Sequence, residues 1–109
     1  MTTATHEQTA AVKALVEILA AFPHLPAAEL GVRLVCTPGH AAPGLRINLY
    51  DAPAAFERWR EALNVDPARL NLVALPSCHV IRGHGEFAGV PLQLLGYLTL
   101  LDPTAAPAA

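Results

Sequence analysis

The chain is short of nearly everything that signals chemistry. It holds two cysteines, Cys36 and Cys78, one serine, Ser77, and one lysine, Lys13. Two cysteines cannot build the disulfide framework of a small secreted domain, and both are expected to be reduced. The serine lies in Leu-Pro-Ser-Cys-His, not in the Gly-x-Ser-x-Gly elbow that exposes a nucleophile, so it reads as a turn residue after Pro76. Cationic side chains are scattered along the chain and the formal net charge is −2. Phosphate backbones need clustered Lys and Arg, so nucleic acid is not the expected main partner. No apolar run approaches the ~18 residues of a membrane span, because charged residues, His, Pro, Gln and Gly interrupt each one. The opening Met-Thr-Thr-Ala-Thr-His-Glu has neither the basic nor the apolar region of an export signal, so a cytoplasmic location is expected.

Apolar residues are abundant instead. They make up 53% of the 109 residues, and charged residues only 15%. Ordinary soluble domains run at about 45–50% apolar with glycine included, and about 25% charged. The length suits one domain, expected over residues 5–102, with frayed ends at 1–4 and at the Pro-Thr-Ala-Ala-Pro-Ala-Ala tail, 103–109. An apolar excess of this kind calls for a surface that a partner closes.

Periodicity gives the order helix, hairpin, helix, hairpin. Val12, Leu15, Ile18, Leu19 and Phe22 recur at three- and four-residue spacing, which predicts a helix over Thr5–Phe22. Alternation predicts a hairpin of Gly31–Cys36 with Leu45–Tyr50, joined by the Pro-, Gly- and Ala-rich Thr37–Gly44. Asp51 as cap and Pro53 in the first turn predict a second helix, with Phe56 and Trp59 facing inward. Asp66-Pro67 predicts a short helical turn and Asn71–Leu75 a short strand. Cys78–Phe87 and Val90–Thr99 form the closing hairpin through Ala88-Gly89. The expected fold is therefore α+β, with two helices on one face of a four- or five-stranded antiparallel sheet.

Candidate sites follow from the strand alternation. If Val32, Leu34, Cys36, Leu45, Ile47 and Leu49 face the helices, then Arg33, Val35, Arg46, Asn48 and Tyr50 line the other face. Arg and Tyr give large contact area with directed hydrogen bonds, which suits an interface. On the closing hairpin, Ile81, Phe87, Leu95 and Tyr97 are expected to share one face and Val80, Val90, Leu92 and Leu94 the other. Leu94 and Leu95 are adjacent and must point apart. A sheet apolar on both sides needs two covers, and two helices supply one. Self-association through the exposed face or the edge of the last hairpin follows, with a two-fold dimer as the default symmetry and another protein as a possible partner.

Two other readings compete. Gly83 and Gly85 project to one strand face and leave a trough, which something bulky must fill unless a bulge intervenes. A ligand pocket there would use Arg82, Gly83, His84, Gly85 and Glu86. A metal reading would use Cys36, His40, Cys78 and His84, since zinc favours Cys and His. Against it, Cys78 and His79 are neighbours in a strand and point to opposite faces. No acid pair suits general acid–base work, so no catalytic residue and no cofactor is expected. The chain reads first as a non-enzymatic binding or assembly protein, with a small-molecule-binding protein or small enzyme built on the Gly83–Glu86 pocket as the alternative.

Overall fold

The computed structural model describes residues 5–37 and 39–100. The predicted frayed ends, 1–4 and 103–109, lie outside the described residues. Helix α1 (Thr5–Ala21) leads into strands β1 (Glu29–Thr37) and β2 (His40–Tyr50). Helix α2 (Pro53–Ala62) and a 3-10 turn (Pro67–Arg69) follow, then β3 (Asn71–Ala74), β4 (Cys78–Phe87) and β5 (Val90–Thr99). The strands form one sheet in the order β1-β2-β5-β4-β3.

The class is α+β, but the sheet is mixed and not purely antiparallel. Leu45–Tyr50 of β2 pair in parallel with Leu92–Tyr97 of β5, while the other three pairings are antiparallel. The reason is the crossover. Between β2 and β5 the chain passes through α2, the 3-10 turn and the antiparallel strands β3 and β4, and it returns to the middle of the sheet running the same way. The last segment is thus β3-β4-β5 and not a hairpin alone. β5 is a central strand, while Gly83–Phe87 of β4 has no strand on its outer side among the described residues. β5 is paired on both sides, and β3 covers β4 from His79 to Arg82.

Local sequence explains most boundaries. The β4–β5 turn has φ of 52° at Ala88 and 78° at Gly89, the paired left-handed conformations of a tight hairpin. The first hairpin is tighter than predicted, because β1 and β2 pair from Glu29↔Asn48 to Thr37↔His40. Pro43 and Gly44, which suggested a loop, are strand residues. Pairing of β2 with β5 begins only at Leu45, so Pro43 needs no ladder bond on that side. Gly44 is required because the Pro91 carbonyl oxygen occupies the space of a Cβ, and Val35 Cγ2 would lie 2.7 Å from it.

The core sits between the helices and one sheet face. It joins Ala11, Ala14 and Ile18 of α1, Phe56 and Trp59 of α2, and Leu45, Ile47, Leu49, Leu92 and Leu94 of the central strands. Here α1 is rotated from the predicted stripe. Its small Ala11 and Ala14 face inward, and Val12 and Leu19 are exposed. Alanines let the helix axis approach the sheet closely, and close packing outweighs the size of each apolar group. Trp59 closes the layer by donating Nε1–H to the Pro26 carbonyl at 2.8 Å. Phe56 lies flat over Gly96, where a Cβ would stand 2.8 Å from its ring.

Candidate functional site

No helix among the described residues covers the second sheet face, and the register fixes its rows. One row runs Asn71, Arg82, Leu95, Asn48, Glu29 across all five strands. The rows beside it run His84, Gln93, Arg46, Gly31 and Val73, Val80, Tyr97, Tyr50. Leu95, Val80 and Val35 are buried there without a helix above them. Long side chains shield them, as amphipathic stems commonly do. Tyr50 and Tyr97 stack with ring centroids 5.0 Å apart. Arg46 Nε donates to Gln93 Oε1 at 3.3 Å.

A depression of about 290 Å³ opens in the middle of this face. Val80, Leu95 and Tyr97 belong to its lining, with Arg46, Arg82 and Gln93 as its polar groups. Neither arginine has a carboxylate within ion-pair distance among the described residues. The arrangement is an apolar floor with two free positive charges.

A second polar cluster sits at the β1 side. Asn48 Nδ2 and the Tyr50 hydroxyl both donate to Glu29 Oε1, at 2.9 and 3.0 Å. The Asn48 bond, then the Tyr50 bond, hold the Glu29 carboxyl below the usual carboxylate range, and nearby Arg33 adds to this. The same bond raises the Tyr50 phenol, because the carboxylate favours its protonated form. Asn48 Oδ1 is buried with no partner among the described residues. Glu29 was missed in the sequence, although it lies four residues before Arg33 and continues that row of the alternation.

Of the predicted interface residues, Arg33, Val35, Arg46, Asn48, Tyr50, Leu95 and Tyr97 stand on the open face. Ile81 and Phe87 do not. They pair with Gly96 and Val90 and pack against the core under the helices. The two-residue turn sets Phe87 opposite Val90, so odd positions of β4 share a face with even positions of β5. Val80 therefore belongs with Leu95 and Tyr97, not with Leu92 and Leu94.

The predicted pocket at Gly83–Glu86 is filled by the chain itself. A Cβ on Gly83 would lie 2.8 Å from both Leu70 Cδ2 and Val65 Cγ1, and one on Gly85 would lie 3.2 Å from Val65 Cγ2. The segment after α2 thus occupies the trough. Arg82, His84 and Glu86 alternate with these glycines and fall on the open face, so the five residues line no common cavity.

The metal set separates as well. Cys36 pairs with Ala41 at one end of the sheet, and Cys78 pairs with Thr99 beyond the Tyr50–Tyr97 pair at the other. At ~3.3 Å per strand residue the two cysteines are roughly 35 Å apart along the strand direction alone. His40 stays with Cys36 at its end, and His84 lies mid-strand opposite Gln93. Among the described residues no three Cys, His, Asp or Glu side chains are grouped as a metal would require.

Asp51 has a different role from the predicted helix cap. Its backbone is left-handed, at φ 50°, and Ala52 precedes α2 without a side-chain cap bond. The Asp51 carboxylate instead accepts the Thr99 N–H at 2.6 Å and the Thr99 hydroxyl at 2.8 Å. These bonds lower its pKa, the backbone one most. Asp51 therefore clasps the ends of the two parallel central strands. No helix among the described residues is long and apolar enough to cross a membrane. The chain matches no family model, no curated protein and no solved structure.

Proposed function

We propose that this is a small cytoplasmic, non-enzymatic binding or assembly protein that self-associates, docks a protein partner, or does both, through its sheet. The observation that carries the reading is the open-face depression, where Arg46 and Arg82 flank an apolar floor and no acid among the described residues answers them. Groups of this kind complement a segment that carries one acidic side chain between apolar ones. Arg makes paired hydrogen bonds to carboxylate, and Leu95, Val80 and Tyr97 offer the apolar contact. Charge complementarity of this sort governs partner choice and association rate more than raw affinity.

A displayed peptide library tests the docking half. Wild-type protein is expected to enrich sequences with an acid flanked by apolar residues. The Arg46→Glu/Arg82→Glu variant should bind the enriched peptides at least about tenfold more weakly. Enrichment of basic or wholly apolar peptides, or unchanged binding by the variant, overturns it. Sedimentation of the wild type across the micromolar range tests self-association, which a monomer throughout would refute.

A further inference from the structure

β1 is the long free edge of the sheet. It pairs with β2 on one side only and runs nine residues, against four for β3 at the opposite edge. Natural edges are blunted by shortness, proline, bulges or charge. β3 is short. β1 has no proline, and its register with β2 is continuous from Glu29 to Thr37 without a bulge. Its only charges are Glu29 and Arg33, of opposite sign and on the same face. Leu34 of this strand is 57% exposed.

The charges are arranged for an external match. Both donors to Glu29 use Oε1, so Oε2 is left without a hydrogen bond among the described residues. Arg33 makes no hydrogen bond or ion pair among them either. Its Nε stands 4.0 Å from where Gly31 would carry a Cβ, so the guanidinium group leans back along the strand.

We infer that β1 pairs antiparallel with β1 of a second copy, about a two-fold axis at Gly31, so that Glu29 meets the partner's Arg33 twice. Residues opposite one another in such a pair share a sheet face. With the axis at Gly31, Leu30 stands opposite the partner's Val32 on the helix-side face, and Leu34 opposite the partner's Ala28. Moving the axis to Val32 sets Glu29 against the partner's Val35. Moving it to Arg33 sets two guanidinium groups against each other, which is repulsive. Only the Gly31 register satisfies both charges, and Gly31 brings no side chain to the crowded axis. The result is one ten-stranded sheet with both open faces on the same side. An apolar depression of about 250 Å³ beside β1, lined in part by Leu19, Leu25 and Leu30, adds surface to be closed. The inference rests on the proposed self-association, and adds the edge, the symmetry and the register.

Charge reversal tests it by sedimentation equilibrium. The wild type is expected to be a dimer. Arg33→Glu places like charges together at both symmetric contacts and should raise the dimer dissociation constant by roughly tenfold to a hundredfold. Arg33 makes no hydrogen bond or ion pair among the described residues, and its electrostatic pull on Glu29 is its one link to the rest of the monomer, so melting curves are recorded with this variant to separate folding from association. Glu29→Arg should act similarly, and Glu29→Arg/Arg33→Glu, which swaps the pair, should restore dimerisation. A wild-type dimer that both single variants leave intact overturns the β1 edge while leaving self-association standing. A dimer that the singles weaken and the swap fails to restore, with melting curves showing folded protein, overturns the register. A wild type that is monomeric overturns self-association and this inference together.

Discussion

The two faces of the sheet bury similar side chains by different means. On the covered face, Leu94 is fully buried beneath two helices. On the open face, its neighbour Leu95 is 4% exposed with no second layer above it among the described residues. Leu94 is sealed by packed aliphatic and aromatic groups that cannot withdraw without unfolding α1 or α2. Leu95 is shielded beside Arg46, Arg82 and Tyr97, whose flexible ends face water. Equal burial therefore does not mean equal permanence. One face is closed by the fold, and the other is closed by side chains that a partner can displace.

Paired substitutions break or sharpen this contrast. Leu94→Ala should cost about 3–4 kcal/mol, because it removes transfer energy and leaves a cavity in a layer that cannot collapse. Leu95→Ala should cost about 2 kcal/mol, since the stems around it relax and water fills the remainder. Urea unfolding measures both, and equal losses would show that the open face is as rigid as the core.

The next pair is smaller. Gly83→Ala forces a methyl group against Val65 and Leu70, and overpacking of this size costs about 1–3 kcal/mol. His84→Ala, one residue on and facing outward, should stay within about 0.5 kcal/mol. A neutral Gly83→Ala would mean that the segment after α2 yields easily and does not belong to the closed side.

The smallest effect concerns acid. Asp51 and Glu29 both have folded pKa values below their ordinary ones, so each contributes stability that is present above the ordinary carboxylate range and is lost as pH falls through and below about 4. Asp51→Asn removes one such group, and its melting temperature should fall less steeply between pH 5 and 3, by the same linkage. An identical slope would deny Asp51 its role in holding β2 to β5.

Local signals were legible in the sequence, and non-local ones were not. The β4 and β5 boundaries follow from alternation and from a glycine turn, both of which act over a few residues. The open-face row Arg33, Arg46, Asn48 and Tyr50 follows from the same alternation. Alternation assigns faces within a strand but not partners between strands, which is why Ile81 and Phe87 were placed on the wrong side. It also carries no trace of the parallel β2–β5 pairing. Glycine proved ambiguous. Gly83 and Gly85 suggested a vacancy, yet they mark where Val65 and Leu70 press against the sheet. Gly44 suggested a loop, yet it marks where another backbone comes close. Asp51 carried the composition of a cap, and only the arrival of Thr99 from the far end of the chain gives its carboxylate a different task.

The parallel seam at the centre of the sheet also governs how the molecule comes together. Leu45 meets Leu92 and Tyr50 meets Tyr97 only after the whole stretch between them has been looped out. The β1–β2 hairpin and the β3–β4–β5 meander each form from nearby residues, but neither has a finished core alone. Their joining makes contacts of high sequence separation, the kind that is generally slow to form. Until it occurs, the inner edges of both pieces stand open and the chain is most exposed to pairing with the wrong strand.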